Sequence, residues 1–190
     1  PYMLGLSATP ERKDGLTKVL KWFIGDIVFM RKGKSAENSV VRRYIYDCSD
    51  KVYCDELTGA YGKINSAGMI NNVSSFMPRT EFIVRKTLEC IAETRQILIL
   101  ADRKEMLKDL ETILSQKGVE SGYYIGGMKQ ASLEESTKKP VILATFQMAA
   151  EGLDISTIDT IILGTPKTDI EQAVGRIRPK VGQPARNTPL

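Results

Sequence analysis

Two stretches of this 190-residue chain carry side chains at spacings that could handle phosphate. The first is Gln172-Ala173-Val174-Gly175-Arg176-Ile177-Arg178, with two arginines flanking one residue just after a glycine. A guanidinium is always charged and presents a rigid fork of donors that matches phosphate oxygens. Phosphoryl transfer spreads negative charge over those oxygens, and an arginine offered from a facing surface stabilises it. The plainer alternative is a solvated basic helix end, where arginine complements the helix dipole. The second stretch runs from Thr145 through Glu151-Gly152-Leu153-Asp154. There Thr145 and the amides after it would donate to phosphate at a helix start, and Asp154 would orient a ribose or hold an arginine. Its plainer alternative is a short helix with ordinary caps.

The elements that must position these residues follow from hydrophobic rhythm. Ile97–Ala101, Ser121–Ile125, Val141–Ala144 and Thr160–Leu163 read as short apolar strands. Between them, Lys104–Gln116 repeats Met106, Leu107, Leu110, Ile113 and Leu114 at helical spacing, with Gly118 closing the helix. A short helix is expected near Ser132 and another over Thr168–Ile177. Pro78 opens a helix to about Thr94, with Phe82, Leu88, Ile91 and Ala92 on its apolar face. Strands alternating with helices imply an α/β fold: an open parallel sheet flanked by helices, with the loops after the strands gathered along one edge.

Upstream, residues 14–24 form a helix with Leu16, Val19, Leu20 and Phe23 on one face, and Gly25 ends it. Ile27–Met30 and Val40–Asp47 read as strands, and the polar run 31–39 is the expected linker. Residues 48–77 carry the weakest pattern.

Composition narrows the class. The chain is 42% hydrophobic and 26% charged, with a net charge of +4, which permits an anionic partner without requiring one. It contains no histidine, so Cys/His zinc sites and an imidazole base are excluded. Three cysteines without pairing spacing argue against a disulfide framework and for a reduced, intracellular setting. No metal site is expected. The chain starts without methionine, in what reads as the end of a strand, so a fragment is expected.

In order along the chain, Ser7-Ala8-Thr9-Pro10, Ile97 through Asp102-Arg103, Tyr124-Ile125-Gly126-Gly127-Met128, Ala144-Thr145 through Asp154, and Gln172 through Arg178 resemble motif III, motif IV, a nucleic-acid-contacting loop, motif V and motif VI of superfamily 2 DEXH helicases. The resemblance is nearest to helicases of large cytoplasmic DNA viruses of the poxvirus and African swine fever virus kind, and more distantly to UvsW and XPB. It implies a RecA-like second helicase lobe over 39–190, preceded over 1–38 by a remnant of the N-terminal lobe and the inter-lobe linker. ATP with Mg²⁺ would be held mainly by the other lobe, and the host cytoplasm would be the location. Single-stranded or unwinding nucleic acid would be the partner, DNA ahead of RNA. Arg176 and Arg178 would be arginine fingers, Gln172 would sit near the terminal phosphate, and Gly152 and Asp154 would line the nucleotide cleft. Ser7 and Thr9 would couple nucleotide state to closure; Asp102, Arg103, Gly126, Gly127 and Thr145 would face the nucleic acid.

One position departs from that pattern: Pro179 stands where the family places its second arginine, and Arg178 comes one residue early. Proline there ends the helix. Gly33-Lys34-Ser35 and Cys54-Asp55-Glu56-Leu57 mimic a phosphate-binding loop and a Walker B end, but their contexts fit neither, and both are expected to be ordinary loop residues. An ATP-driven translocase or remodeller without unwinding, a catalytically dead nucleic-acid-binding module, and an unrelated doubly wound ligand-binding domain are the competing readings.

Overall fold

The computed structural model describes residues 3–6, 15–30, 40–152 and 155–168, which fall in two units, 1–39 and 40–190. In the first unit, helix α1 (Thr17–Ile24) ends where Gly25 takes a φ of 100° and returns its amide to the Lys21 carbonyl. No residue of α1 is buried, and Trp22 and Phe23 are exposed. The strand expected over Ile27–Met30 is absent. The expected linker, 31–39, lies outside the described residues, as does Gly33-Lys34-Ser35.

The second unit begins with an extended segment, 40–50, that joins no strand. The strand expectation for Val40–Asp47 is corrected here, although its period-2 alternation has a cause. Tyr44 and Tyr46 point the same way and meet Phe82 edge-on at 6.1 and 5.6 Å, so the alternation packs against a helix instead of a ladder. Helix α2 (Lys51–Cys54) follows, capped by the Asp50 carboxylate on the Val52 amide. Then come a tight turn at Ala60–Gly62 and helix α3 (Ser66–Ser75), whose N-cap Asn65 accepts from the Gly68 amide.

Helix α4 (Met77–Ala92) carries proline in its first turn, where the missing N–H is harmless. Its buried face is Thr80, Ile83, Val84 and Thr87; Leu88 and Ile91 are partly buried beside it, Phe82 turns to the aromatic cluster and Ala92 is exposed. The hydroxyl of Thr87 donates to the Ile83 carbonyl one turn back, which lets a threonine sit fully buried.

The remaining elements alternate as expected: β1 (Ile97–Ala101), α5 (Lys104–Gln116), β2 (Ser121–Tyr124), α6 (Gln130–Ser136), β3 (Val141–Thr145), α7 (Phe146–Gly152) and β4 (Thr160–Leu163). The four strands form one parallel sheet in the order β2-β3-β1-β4. Every residue of β1 is buried, as a central parallel strand covered on both faces must be. Alternate residues feed two cores. Ile97, Ile99 and Ala101 join Met106, Leu107, Leu110 and Leu114 of α5 on one face. Leu98 and Leu100 join Phe146, Ala149, Ile155 and Ile158 on the other. Tyr123 and Tyr124 divide the same way, each half-buried against a different core.

Among the described residues, no helix is long and apolar enough to cross a membrane.

Candidate functional site

Because all four strands run parallel, their C-terminal ends meet on one edge. The register sets Ala101 beside Thr145, Leu100 beside Leu163 and Tyr124 beside Ala144. The residues that follow therefore converge on one rim: Asp102-Arg103, Gly126-Gly127, Thr145 and the loop 164–168. The five described residues expected to face nucleic acid are thus brought to one side of the sheet.

Specific bonds hold this rim in place. The Asp102 amide donates to the hydroxyl of Thr165, 3.0 Å away across 63 residues of sequence. Thr165 is only 2% exposed. The Lys167 ammonium lies 3.5 Å from Asp102 Oδ1 and 5.2 Å from the centre of the Phe146 ring, so one cation spans the loops after β1, β3 and β4. Arg103 Nε donates to Asn71 Oδ1 at 2.7 Å, which ties the end of β1 to α3. Gly164 donates its amide to the Leu100 carbonyl at 2.7 Å and carries the β4 side of the ladder one step past the strand.

The two glycines differ. Gly127 has a φ of 91°, a left-handed conformation that suits glycine. Gly126 is under no such constraint, and a Cβ there would rest 3.8 Å from Met148 Sδ, an ordinary contact. The Met148 amide donates to the Thr145 hydroxyl at 3.5 Å, so the cap alternative describes its position, with α7 starting directly after it.

Thr165, Lys167 and Asn71 join the site through the fold and match none of the motif segments. Thr165 and Lys167 follow a predicted strand, so the loops-after-strands rule reaches them. It does not reach Asn71, which lies in the poorly patterned 48–77 stretch and meets Arg103 only through tertiary packing. Gly152 ends α7. Ser7, Thr9, Asp154, Gln172, Arg176 and Arg178, and the expected helix over Thr168–Ile177 beyond its first residue, lie outside the described residues.

The rim bond at Thr165 has a measurable consequence. Thr165→Val keeps the shape and removes the acceptor, so it should cost about 1–2 kcal/mol. Urea unfolding of the chain would read this as a lower midpoint at unchanged slope, whereas Thr165→Ser should stay near wild type. An unaltered midpoint for the valine variant would mean that the bond adds nothing.

A cavity of about 870 Å³ is lined by Gln96, Lys139, Pro140 and Ser156 and extends to Tyr124 at the end of β2. Gln96 there spends its amide nitrogen on the Thr137 and Lys139 carbonyls, a structural brace between β1 and the turn before β3.

Comparison with known proteins supplies independent findings. The sequence profile of the helicase conserved C-terminal domain matches residues 80–178. A mimivirus protein named "Putative ATP-dependent RNA helicase L396" is 38% identical over 181 residues, covering 93% of this chain and 35% of its own length. An African swine fever virus protein (isolate Pig/Kenya/KEN-50/1950) named "Putative ATP-dependent RNA helicase QP509L" is 24% identical over 200 residues, covering 92% of this chain and 38% of its own. The chain thus spans little more than a third of the length of these relatives. Among solved structures, phage T4 UvsW superposes with a TM-score of 0.52 at 15% identity, over 62% of this chain and 25% of UvsW, a likeness of fold.

Proposed function

The chain belongs to the helicase conserved C-terminal domain family, and from that premise we propose that residues 39–190 are the second RecA-like lobe of an ATP-dependent nucleic-acid helicase of superfamily 2. Residues 1–38 are read as a remnant of the first lobe with the linker. The exposed apolar residues of that unit, Leu4, Leu6, Trp22 and Phe23 among them, are what a piece parted from its own core would leave uncovered.

The observation that carries the reading is the convergence of Asp102, Arg103, Gly126, Gly127 and Thr145 on one rim of the sheet, in a chain whose family match extends through Gln172, Arg176 and Arg178. A rim of this kind, outside the carboxyl ends of parallel strands, is where open α/β sheets bind ligands. In this reading Arg176 reaches the nucleotide gripped by the other lobe, with Gln172 beside the terminal phosphate and Gly152 and Asp154 along the cleft. Arg178 is the second finger only where the chain can turn before Pro179. Ser7 and Thr9 couple closure to nucleotide state. ATP with Mg²⁺ would supply the phosphoryl group and the metal from the partner lobe. The Asp55-Glu56 pair suits no such site, because it follows a four-residue helix and is exposed, not carried on a buried strand end. Arg103 and the open backbone at Gly126-Gly127 would meet the phosphates of a single strand.

The motif resemblance puts DNA ahead of RNA, but the mimivirus and African swine fever virus relatives are both named RNA helicases, so the two polymers stand level. The viral relatives favour host cytoplasm as the place of action.

In the longer protein, single-stranded nucleic acid should raise ATP turnover at least about tenfold, while the 190-residue chain alone should hydrolyse none. Turnover by the isolated chain would overturn the assignment of ATP to the other lobe. Testing DNA and RNA in parallel selects the polymer, and strand displacement separates a helicase from a translocase or remodeller. Pro179 favours one rival, a catalytically dead nucleic-acid-binding module. Binding without turnover in the longer protein would establish that rival instead.

A further inference from the structure

The stretch between α2 and α3 holds a turn that the rim does not explain. Thr58 and Ile64 form an antiparallel bridge. The Gly59 amide donates to the Lys63 carbonyl and the Asn65 amide to the Leu57 carbonyl, each at 2.7 Å, which closes residues 57–65 into a miniature hairpin. At its tip, Tyr61 has φ 61° and ψ 28°, and Gly62 has a φ of 69°. Two consecutive left-handed residues are what a tight hairpin turn requires, and asparagine or glycine fills the first of them without strain. Here the position holds an aromatic residue, at an energetic cost.

That side chain does nothing for the fold. Tyr61 is 99% exposed, so its ring is held out in water on a backbone that would be relaxed without it. Strain retained for a side chain with no internal contact points to an external one. The hairpin is also joined to the rim through α3. Its last residue, Asn65, is the N-cap of α3. Six residues along, or about 9 Å at helical rise, Asn71 binds Arg103 at the end of β1. Lys63 stands exposed beside the tip, a cation for a passing phosphate.

The geometry points to Tyr61 as a base-stacking contact: its ring lies against an unpaired base of the single strand that runs past Arg103. This rests on the helicase reading above. Stacking suits a protein that moves along nucleic acid, since every base offers a π-face whatever its sequence.

The test is binding of the longer protein to a single-stranded oligonucleotide carrying a fluorescent base. Tyr61→Ala and Tyr61→Gly should each weaken binding by about 5- to 100-fold. The glycine variant also relaxes the left-handed backbone, so its loss cannot come from a damaged turn. Tyr61→Phe and Tyr61→Trp should stay within about twofold of wild type because they keep the π-face. Loss in the alanine variant with normal binding by the glycine variant would trace the effect to the turn and overturn the stacking role. Equal binding by wild type and both truncated variants would overturn it while leaving the helicase reading intact. Wild-type protein that binds neither DNA nor RNA would defeat both.

Discussion

Arg176→Ala in the longer protein is expected to lower nucleic-acid-stimulated ATP turnover by about 10³- to 10⁵-fold, the range over which an arginine finger acts on phosphoryl transfer. The charge on the transferring group grows toward the transition state, so a guanidinium placed there lowers the barrier more than it tightens ATP binding. Turnover number should therefore fall far more than the Michaelis constant shifts. Arg176→Lys should rescue little, because an ammonium lacks the planar fork. Arg178→Ala sets an internal scale: Arg178 stands one residue out of the family register with Pro179 directly after it, and the loss should be much smaller. Steady-state ATPase with saturating single strand is the measurement. Turnover for Arg176→Ala within about twofold of wild type would remove the catalytic role from this residue.

Gly122→Val should destabilise the fold more than the loss of the Thr165 bond does. Gly122 is buried in β2, and a Cβ at that position would stand 2.7 Å from both Cα and Cβ of Ser136 on α6. The obstruction includes backbone, so no rotamer change relieves it; α6 must lift or the strand must shift. Ser136 is itself buried and donates its hydroxyl back to the Ser132 carbonyl, so it has little room to yield. Overpacking of this kind costs about 3 kcal/mol at its upper range, equivalent to about 10 °C in melting temperature for a chain of this size. Because β2 pairs only with β3 among the described residues, the damage should centre on the Gly126-Gly127 loop that follows it. Hydrogen exchange should show β2 and α6 opening before β1 and β3. Gly126→Ala is the contrast: its Cβ finds ordinary space, so the fold should hold and any loss of nucleic-acid binding would report on the rim alone. A melting temperature for Gly122→Val equal to wild type would show that α6 tolerates the displacement.

Residue order alone was enough to place the sheet's strands and the helices between them. Apolar runs such as Ile97–Ala101 and the three-to-four spacing of Met106 to Leu114 reflect local burial, and burial periodicity is written directly along the chain. The same reading put Asp102, Arg103, Gly126, Gly127 and Thr145 in the loops after strands, since a parallel sheet admits no other common edge. Which strands sit side by side emerged only from the packed fold, in the order β2-β3-β1-β4 among the described residues. So did the fate of the alternating segment at 40–50, which spends its tyrosines on α4. The Asp102–Thr165 and Arg103–Asn71 bonds, and Tyr61 held strained and bare at a turn, belong to the same class. They depend on groups 63 and 32 residues apart, or on a backbone angle that tyrosine seldom adopts. Periodicity encodes which face of an element is buried; it carries no term for which distant element arrives to bury it.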